Sequence, residues 1–325
     1  MQFGVPLPTF RKVASPDAIR RVAQRAEQLG FDGIWVSDHI VIPDAESDPF
    51  ARGFGDATGI GGLIYEPLTV LAFAAACTSR IRLGTTVIVV PYRNPLVTAK
   101  MLSTLDVLSG GRVTAGMAVG WMEKEFNALG VPFQDRGALT DEYITAIKVL
   151  WTQQKPAFHG NHVRFENISF EPKPLQKPNI PIWIGGNSKN AIRRAVALAD
   201  GWNPTRARVE DIETGVAYLK DLCGEHGRDP RSLTIAARLP LKFFNDEVPA
   251  PRRPLLGGTQ KIIDEISQYR DAGVDYIILD TFYSAAELAG ETEDSILATM
   301  ESFAADVMPK LRTVEKESKI DGKHN

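Results

Sequence analysis

"IRLGTTVIVV", residues 81–90, decides the fold. Nearly every residue in it is apolar or β-branched, with no alternation of polar and apolar positions. Such a run reads as a strand covered on both faces, the condition of a parallel sheet dressed with helices. The rest of the chain then has to alternate strands with helices around it.

It does. Upstream, "QFGVPL" (2–7) reads as strand one. Ser15–Pro16 opens a helix, Ser as N-cap and Pro at the first helical position. Ile19, Val22, Ala23, Ala26 and Leu29 recur there at helical spacing until Gly30 ends it. "GIWVS" (33–37) is strand two, and a helix follows from about Glu66 to Cys77. Downstream come the helix "NPLVTAKMLSTLDVLS" (94–109), strand four "RVTAGMAVG" (112–120), and helical sequence from Met122, interrupted at Gly130–Phe133. "PIWIGG" (181–186), "GWNPT" (201–205), "LTIAARLPL" (233–241) and "VDYIILDTF" (274–282) are strands five to eight. Helices from Ser188 to Ala199, over 209–226, from Thr259 to Ala272 and from Asp294 to Leu311 separate and follow them. Regular strand–helix alternation of this length predicts a (β/α)8 TIM barrel over residues 1–311, in preference to a doubly wound sheet.

Two stretches break the rhythm. Residues 156–179 hold aromatics, a Gly-Asn turn and several prolines, which predicts a β-hairpin inserted before strand five. Residues 245–258, "NDEVPAPRRPLLGG", predict a flap after strand seven. With the long polar loop at 44–64, that flap is expected to cover a substrate. The tail, 312–325, is polar and expected to be frayed.

The chain has 325 residues, is 44% apolar and 24% charged, and carries a net charge of -3. No basic block points to nucleic acid or an anionic surface. No apolar run reaches the ~18 residues of a membrane span, and the first ten residues lack a signal-peptide pattern. The expectation is a cytoplasmic enzyme acting on a small molecule. Cys77 and Cys223 are too few for a disulfide framework and fall in helical sequence. The sequence has no phosphate loop, no dinucleotide fingerprint, no nucleophile elbow and no His-Glu-x-x-His or paired C-x-x-C, so no metal site is expected.

In such a barrel the C-terminal strand ends carry the chemistry. Strand two ends in Ser37–Asp38–His39, and an acid and an imidazole are unusual ways to end a strand. Neighbouring residues on an extended strand face opposite ways, so His39 is expected inward and Asp38 in a local structural role. Strand five ends in "GGNSKNAIRRA" (185–195), which reads either as a capped tight turn or as a phosphate site. In the second reading Gly185 and Gly186 allow close approach, Ser188 caps the helix, and Lys189, Arg193 and Arg194 add positive charge.

Taken together, "LGFDGIWVSDH", "RIRLGTTVIVVPYRNP", "GGRVTAGMAVGWMEKEF", "PIWIGGNSKNAIRRAVALADGW" and "GTQKIIDEISQYRDAGVDYIIL" resemble the bacterial luciferase-like superfamily, in order over residues 1–311. That resemblance implies a TIM-barrel oxidoreductase that uses flavin or deazaflavin, is often a homodimer, and carries an insertion where 156–179 lies. The Asp-His ending resembles the branch dependent on coenzyme F420. By that resemblance Asp38 and His39 lie at the cofactor, with His39 as the acid/base or electrostatic group beside the ring. Thr85, Thr86 and Val87 form a bulge under the ring, with a non-proline cis peptide at Thr86–Val87. Gly185, Gly186, Asn187 and Ser188 hold the cofactor phosphate. Related dehydrogenases place a glutamate after strand four. Here Trp121 occupies the place, which leaves Glu123 and Glu125 as candidate catalytic groups. The alternatives are an FMN-dependent monooxygenase of the same superfamily and a non-catalytic flavin-binding barrel.

Overall fold

The computed structural model describes residues 1–42, 63–244, 253–282 and 291–312. The expected loop cover at 44–64 falls almost wholly outside them. So do the first part of the 245–258 flap and the tail beyond Arg312.

The elements run in chain order β1 (Gln2–Pro6), α1 (Pro16–Leu29), β2 (Gly33–Val36), α2 (Pro67–Cys77), β3 (Arg82–Thr85), β4 (Ile88–Val89), α3 (Pro95–Leu108), β5 (Val113–Ala118), α4 (Glu123–Ala128) and α5 (Arg136–Thr152). Then come β6 (Phe158–His159), β7 (Arg164–Phe165), β8 (Ile182–Gly185), α6 (Lys189–Leu198), β9 (Gly201–Asn203), α7 (Val209–Glu225) and β10 (Thr234–Pro240). β11 (Lys242–Phe243), β12 (Leu256–Gly257), α8 (Thr259–Asp271), β13 (Tyr276–Asp280) and α9 (Glu293–Ser302) complete the series.

The main sheet is parallel throughout and runs β3-β2-β1-β13-β10-β9-β8-β5-β4. β3 and β4 are two halves of one strand, and β3 also pairs with β5, Leu83 opposite Val113. The sheet therefore closes on itself as an eight-stranded parallel barrel ringed by helices, a (β/α)8 fold. The caps are those the sequence marks. Ser15 Oγ accepts from Ala18 N, and Gly30, at φ 82°, ends α1. A left-handed backbone there suits glycine, which has no Cβ to crowd the carbonyl.

The barrel interior is plugged at its N-terminal end. Trp35 and Trp183 stack at 4.9 Å and 21°, and Tyr276 meets both edge-on. Trp35 Nε1 donates to Tyr276 Oη at 3.1 Å. Each such ring buries roughly 150–250 Å², a gross gain of about 4–6 kcal/mol before entropy. Room for the rings comes from glycine. A Cβ on Gly84 would lie 2.2 Å from the Trp35 ring, and one on Gly201 2.5 Å from Trp183. With that end filled, open space is left at the C-terminal ends of the strands.

The third strand is interrupted. The run from Ile81 pairs as β3, breaks at the non-proline cis peptide expected between Thr86 and Val87, resumes as β4 and ends in a 3₁₀ turn, Val90–Tyr92. Thr85 Oγ1 donates to Gly116 O at 2.7 Å, and a Cβ on Gly116 would sit 1.9 Å from Thr85 O. The bare glycine of β5 is what lets the break approach.

In the insertion, Phe158–His159 pairs antiparallel with Arg164–Phe165. Its turn is held from α5 by Glu142, whose carboxylate accepts from Asn161 N, His162 N and Val163 N. In the flap, Leu256–Gly257 pairs parallel with Lys242–Phe243, so its described end is fastened to the strand it follows.

Candidate active site

A cavity of about 440 Å³ opens at the C-terminal ends of the strands. Ser37, Asp38 and His39 reach it from β2, Thr86, Val87 and Val89 from the broken third strand, and Ala118 to Trp121 from β5. Gly185 and Gly186 after β8, Asn203, Thr205 and Arg206 after β9, and Arg238 on β10 complete the wall.

Asp38 and His39 turn to different partners. The Asp38 carboxylate is buried, accepts from Val89 N at 2.9 Å, and takes a two-pronged bond from Arg93 at 2.6 and 2.8 Å. Arg93 also reaches Glu66 at 3.0 Å. Burial opposes the Arg93 charge, but the bonds and charges of Asp38 and Glu66 outweigh it and hold the guanidinium above its ordinary pKa. The pair ties the end of β2 to the chain leaving β4.

The His39 ring lies on the cavity wall, edge-on to Trp121 with centroids 5.9 Å apart. Its Nδ1 is 2.8 Å from Glu125 Oε2. Glu125 sits in the first turn of α4 and is fully buried. Tyr92 Oη donates to the same Oε2 at 2.7 Å, while Oε1 accepts from Ile40 N at 2.6 Å and Val41 N at 3.1 Å. Burial raises the carboxyl pKa, yet the bonds from His39, Tyr92 and Ile40 outweigh it and leave Glu125 below its ordinary value, as a carboxylate. Burial, then the bond and charge of Glu125, push the Tyr92 hydroxyl the other way, so it stays protonated.

Under the break in the third strand lies a second polar network. Arg238 Nη1 donates to Thr86 O at 2.9 Å and to Ser37 Oγ at 2.8 Å. Its Nε and Nη2 donate to Asp280 Oδ2 at 3.0 and 2.6 Å. Thr86 Oγ1 donates to Asn203 Oδ1 at 3.0 Å. Buried charges persist in an interior when they are paired and bonded in this way.

The other candidates divide. His39, Thr86, Val87, Trp121, Gly185 and Gly186 meet at the cavity. Thr85 is buried beneath it, bonded to Gly116. Asn187 is exposed and exchanges two 2.9 Å bonds with the Thr205 backbone, and Ser188 caps α6 through Ala191 N, so neither side chain lines the wall. Glu123 is exposed on α4 and also off the wall. Glu125 stands behind His39 rather than at the cavity surface. Sequence reasoning missed Arg238, Tyr92 and Arg93. The signal for Arg238 was available: a lone cation inside the apolar run "TIAARLPL" has to be paired. Among the described residues no cluster of three or more His, Cys, Asp or Glu could hold a metal, and no helix is long and apolar enough to cross a membrane.

Comparison with known proteins shows the family and the fold. The sequence profile described as Luciferase-like monooxygenase matches residues 1–250. An uncharacterized protein of Mycobacterium bovis, Mb0978c, is 35% identical over 238 residues, covering 70% of this chain and 80% of its own. The FMNH(2)-dependent dimethylsulfone monooxygenase of Pseudomonas putida is 30% identical over 214 residues, covering 65% of this chain and 54% of its own. Among solved structures, the coenzyme F420 dependent tetrahydromethanopterin reductase of Methanopyrus kandleri superposes with a TM-score of 0.74 at 20% identity, over 95% of this chain and 99% of that one.

Proposed function

The chain belongs to the luciferase-like monooxygenase family, and from that premise we propose that it is an oxidoreductase transferring a hydride between coenzyme F420 and a small organic substrate. The observation that carries the reading is His39, an imidazole on the cavity wall backed by a buried carboxylate.

The residues fit the cofactor. About 440 Å³ lies within the range of small-molecule sites. Val87, Val89, Ala118 and Val119 offer an apolar wall to a flat ring. A Cβ on Gly185 would meet Val87 Cγ1 at 2.6 Å, so the backbone beside that wall stays bare. Gly185 and Gly186 would admit the phosphate by lacking side chains, since Gly186 N already donates to Asn203 O at 3.2 Å, and Arg206 stands on the same wall. Asn187 and Ser188 would act by shaping this turn. When bound, F420 supplies a carbon centre that exchanges hydride and reacts poorly with oxygen. His39 takes up the substrate's proton as the substrate is oxidised and returns it in the reverse direction, a task matched to an imidazole. Arg238 holds the Thr86 carbonyl and Asn203 the Thr86 hydroxyl, beside Val87. Trp121 shields the wall beside His39 from water.

A second reading, an FMN-dependent monooxygenase, is favoured by the Pseudomonas putida relative. Anaerobic assays with F420 against a panel of alcohols, aldehydes, unsaturated carbonyls and imines separate the two, run beside oxygen uptake with reduced FMN. Substrate-dependent F420 turnover without oxygen supports the first reading. Oxygen uptake with reduced FMN and no F420 turnover supports the second.

The working form in this reading is a homodimer. α2 and α3 pack side by side, and their outward faces are apolar. Ala72, Phe73 and Ala76 are exposed on α2, and Val97, Val107 and Leu108 on α3. Neighbouring stripes of this kind mark an association surface.

A further inference from the structure

Glu125 has no direct share in the cavity wall, yet it is among the most heavily bonded carboxylates among the described residues. Its position constrains the chemistry of His39 in a way that geometry alone decides.

Each oxygen has a fixed duty. Oε1 faces two backbone N–H groups, Ile40 N at 2.6 Å and Val41 N at 3.1 Å, and so must accept. Oε2 faces the Tyr92 hydroxyl at 2.7 Å and His39 Nδ1 at 2.8 Å. A carboxylate only accepts. A bond between Oε2 and Nδ1 therefore requires the proton on Nδ1. We propose that Glu125 is a positioning residue that, with Tyr92 bonded beside it, fixes His39 as the Nδ1–H tautomer, making Nε2 the basic nitrogen of the site. The depressed pKa of Glu125 agrees with its role as an acceptor. The inference deepens the reading above, because it says which nitrogen handles the proton, but its central test needs no cofactor.

The same bonds define an informative variant. In Glu125→Gln one oxygen becomes an NH2 group. Placing that NH2 against Ile40 N and Val41 N would oppose donors to donors and leave buried N–H groups without acceptors, at a cost of about 1–3 kcal/mol each. The amide oxygen therefore stays with the backbone, and the NH2 faces His39 and Tyr92. Nδ1 must then accept, which moves the proton to Nε2. Glu125→Gln is thus a tautomer inverter, with similar size and shape. Tyr92→Phe removes a bond but leaves the carboxylate, so it keeps the Nδ1–H tautomer.

The test is ¹⁵N NMR of the full chain labelled at histidine, at a pH where the ring is neutral, with the His39 signals assigned by their loss in His39→Asn. Wild type and Tyr92→Phe are expected to show a protonated Nδ1 and an unprotonated Nε2, and Glu125→Gln the reverse. Turnover with the cofactor is expected to fall about 100-fold or more in Glu125→Gln, as for an imidazole held in the wrong tautomer, with cofactor binding kept. A protonated Nε2 in wild type overturns the proposal, and that measurement stands even if the variant fails to fold. An unchanged tautomer in folded Glu125→Gln overturns it as well. Failure of F420 to bind would sink the functional reading and leave the tautomer result standing.

Discussion

Arg238 Nη1 lies 2.9 Å from the carbonyl oxygen of Thr86, so a cation from β10 holds the backbone at the break in the third strand. The same guanidinium is paired with Asp280 beneath it. Arg238→Met removes the cation and leaves the Asp280 charge buried. A loss of about 3–5 kcal/mol is expected for breaking such a pair, seen as a lower Tm and weaker cofactor binding. The double variant Arg238→Met/Asp280→Leu is expected to recover much of the stability but not the binding, because Thr86 O then keeps the longer 3.2 Å bond from Ser37 Oγ and loses the one from the cation. Recovery of both would mean that the Thr86 bond is idle.

His39 stands on the cavity wall, and its removal takes away the group proposed to handle the proton without opening the core. His39→Ala is expected to fold and to bind cofactor, while turnover falls at least about 100-fold. Steady-state kinetics beside a binding titration check this, and unchanged turnover refutes the role.

The aromatic plug gives a stability contrast. Gly84→Ala puts a Cβ 2.2 Å from the Trp35 ring, and overpacking of a fixed core costs roughly 1–3 kcal/mol. Gly224→Ala, in α7 with nothing within 4 Å of the added carbon, is expected to stabilise by up to about 1 kcal/mol. Denaturant midpoints should move in opposite directions.

Glu27 supplies a pH dependence. Its carboxylate accepts from Ser79 N, Arg80 N and Ile81 N, pinning the start of β3 to α1. Burial raises its pKa, but the three backbone bonds outweigh this and draw it from 4.5 down to about 2. A depressed folded-state value means that the stabilisation is fully present above the unfolded value and is lost as pH falls through the folded one. The stability gap between wild type and Glu27→Gln is therefore constant above about pH 5 and closes toward pH 2. A gap that persists at pH 2 contradicts the assignment.

Phe73 tests the association surface. Phe73→Glu places a charge in the exposed apolar stripe of α2 and is expected to yield a folded monomer by sedimentation, where the proposed wild-type form is a dimer. A wild-type monomer would remove the homodimer from the account.

The barrel was legible because parallel strands covered on both faces leave unbroken apolar runs, and Ser15–Pro16 and Gly30 punctuate the helices between them. His39 was legible as an imidazole where a strand should end in a turn. The partnerships were not. Glu125 lies 86 residues from His39 and Arg238 lies 152 from Thr86, and periodicity carries nothing about pairs that meet only when the barrel closes. Asn187 bonds the Thr205 backbone and Ser188 caps its helix as expected, and the same letters do not say whether such a turn also holds an anion.

The most direct measurement is a titration of the purified protein with coenzyme F420 and, separately, with FMN, following tryptophan fluorescence, since Trp121 lines the cavity. The account predicts saturable quenching by F420 at micromolar concentration, with much weaker binding of FMN. Tight FMN binding with no response to F420 would contradict it and assign the cavity to reduced flavin and oxygen.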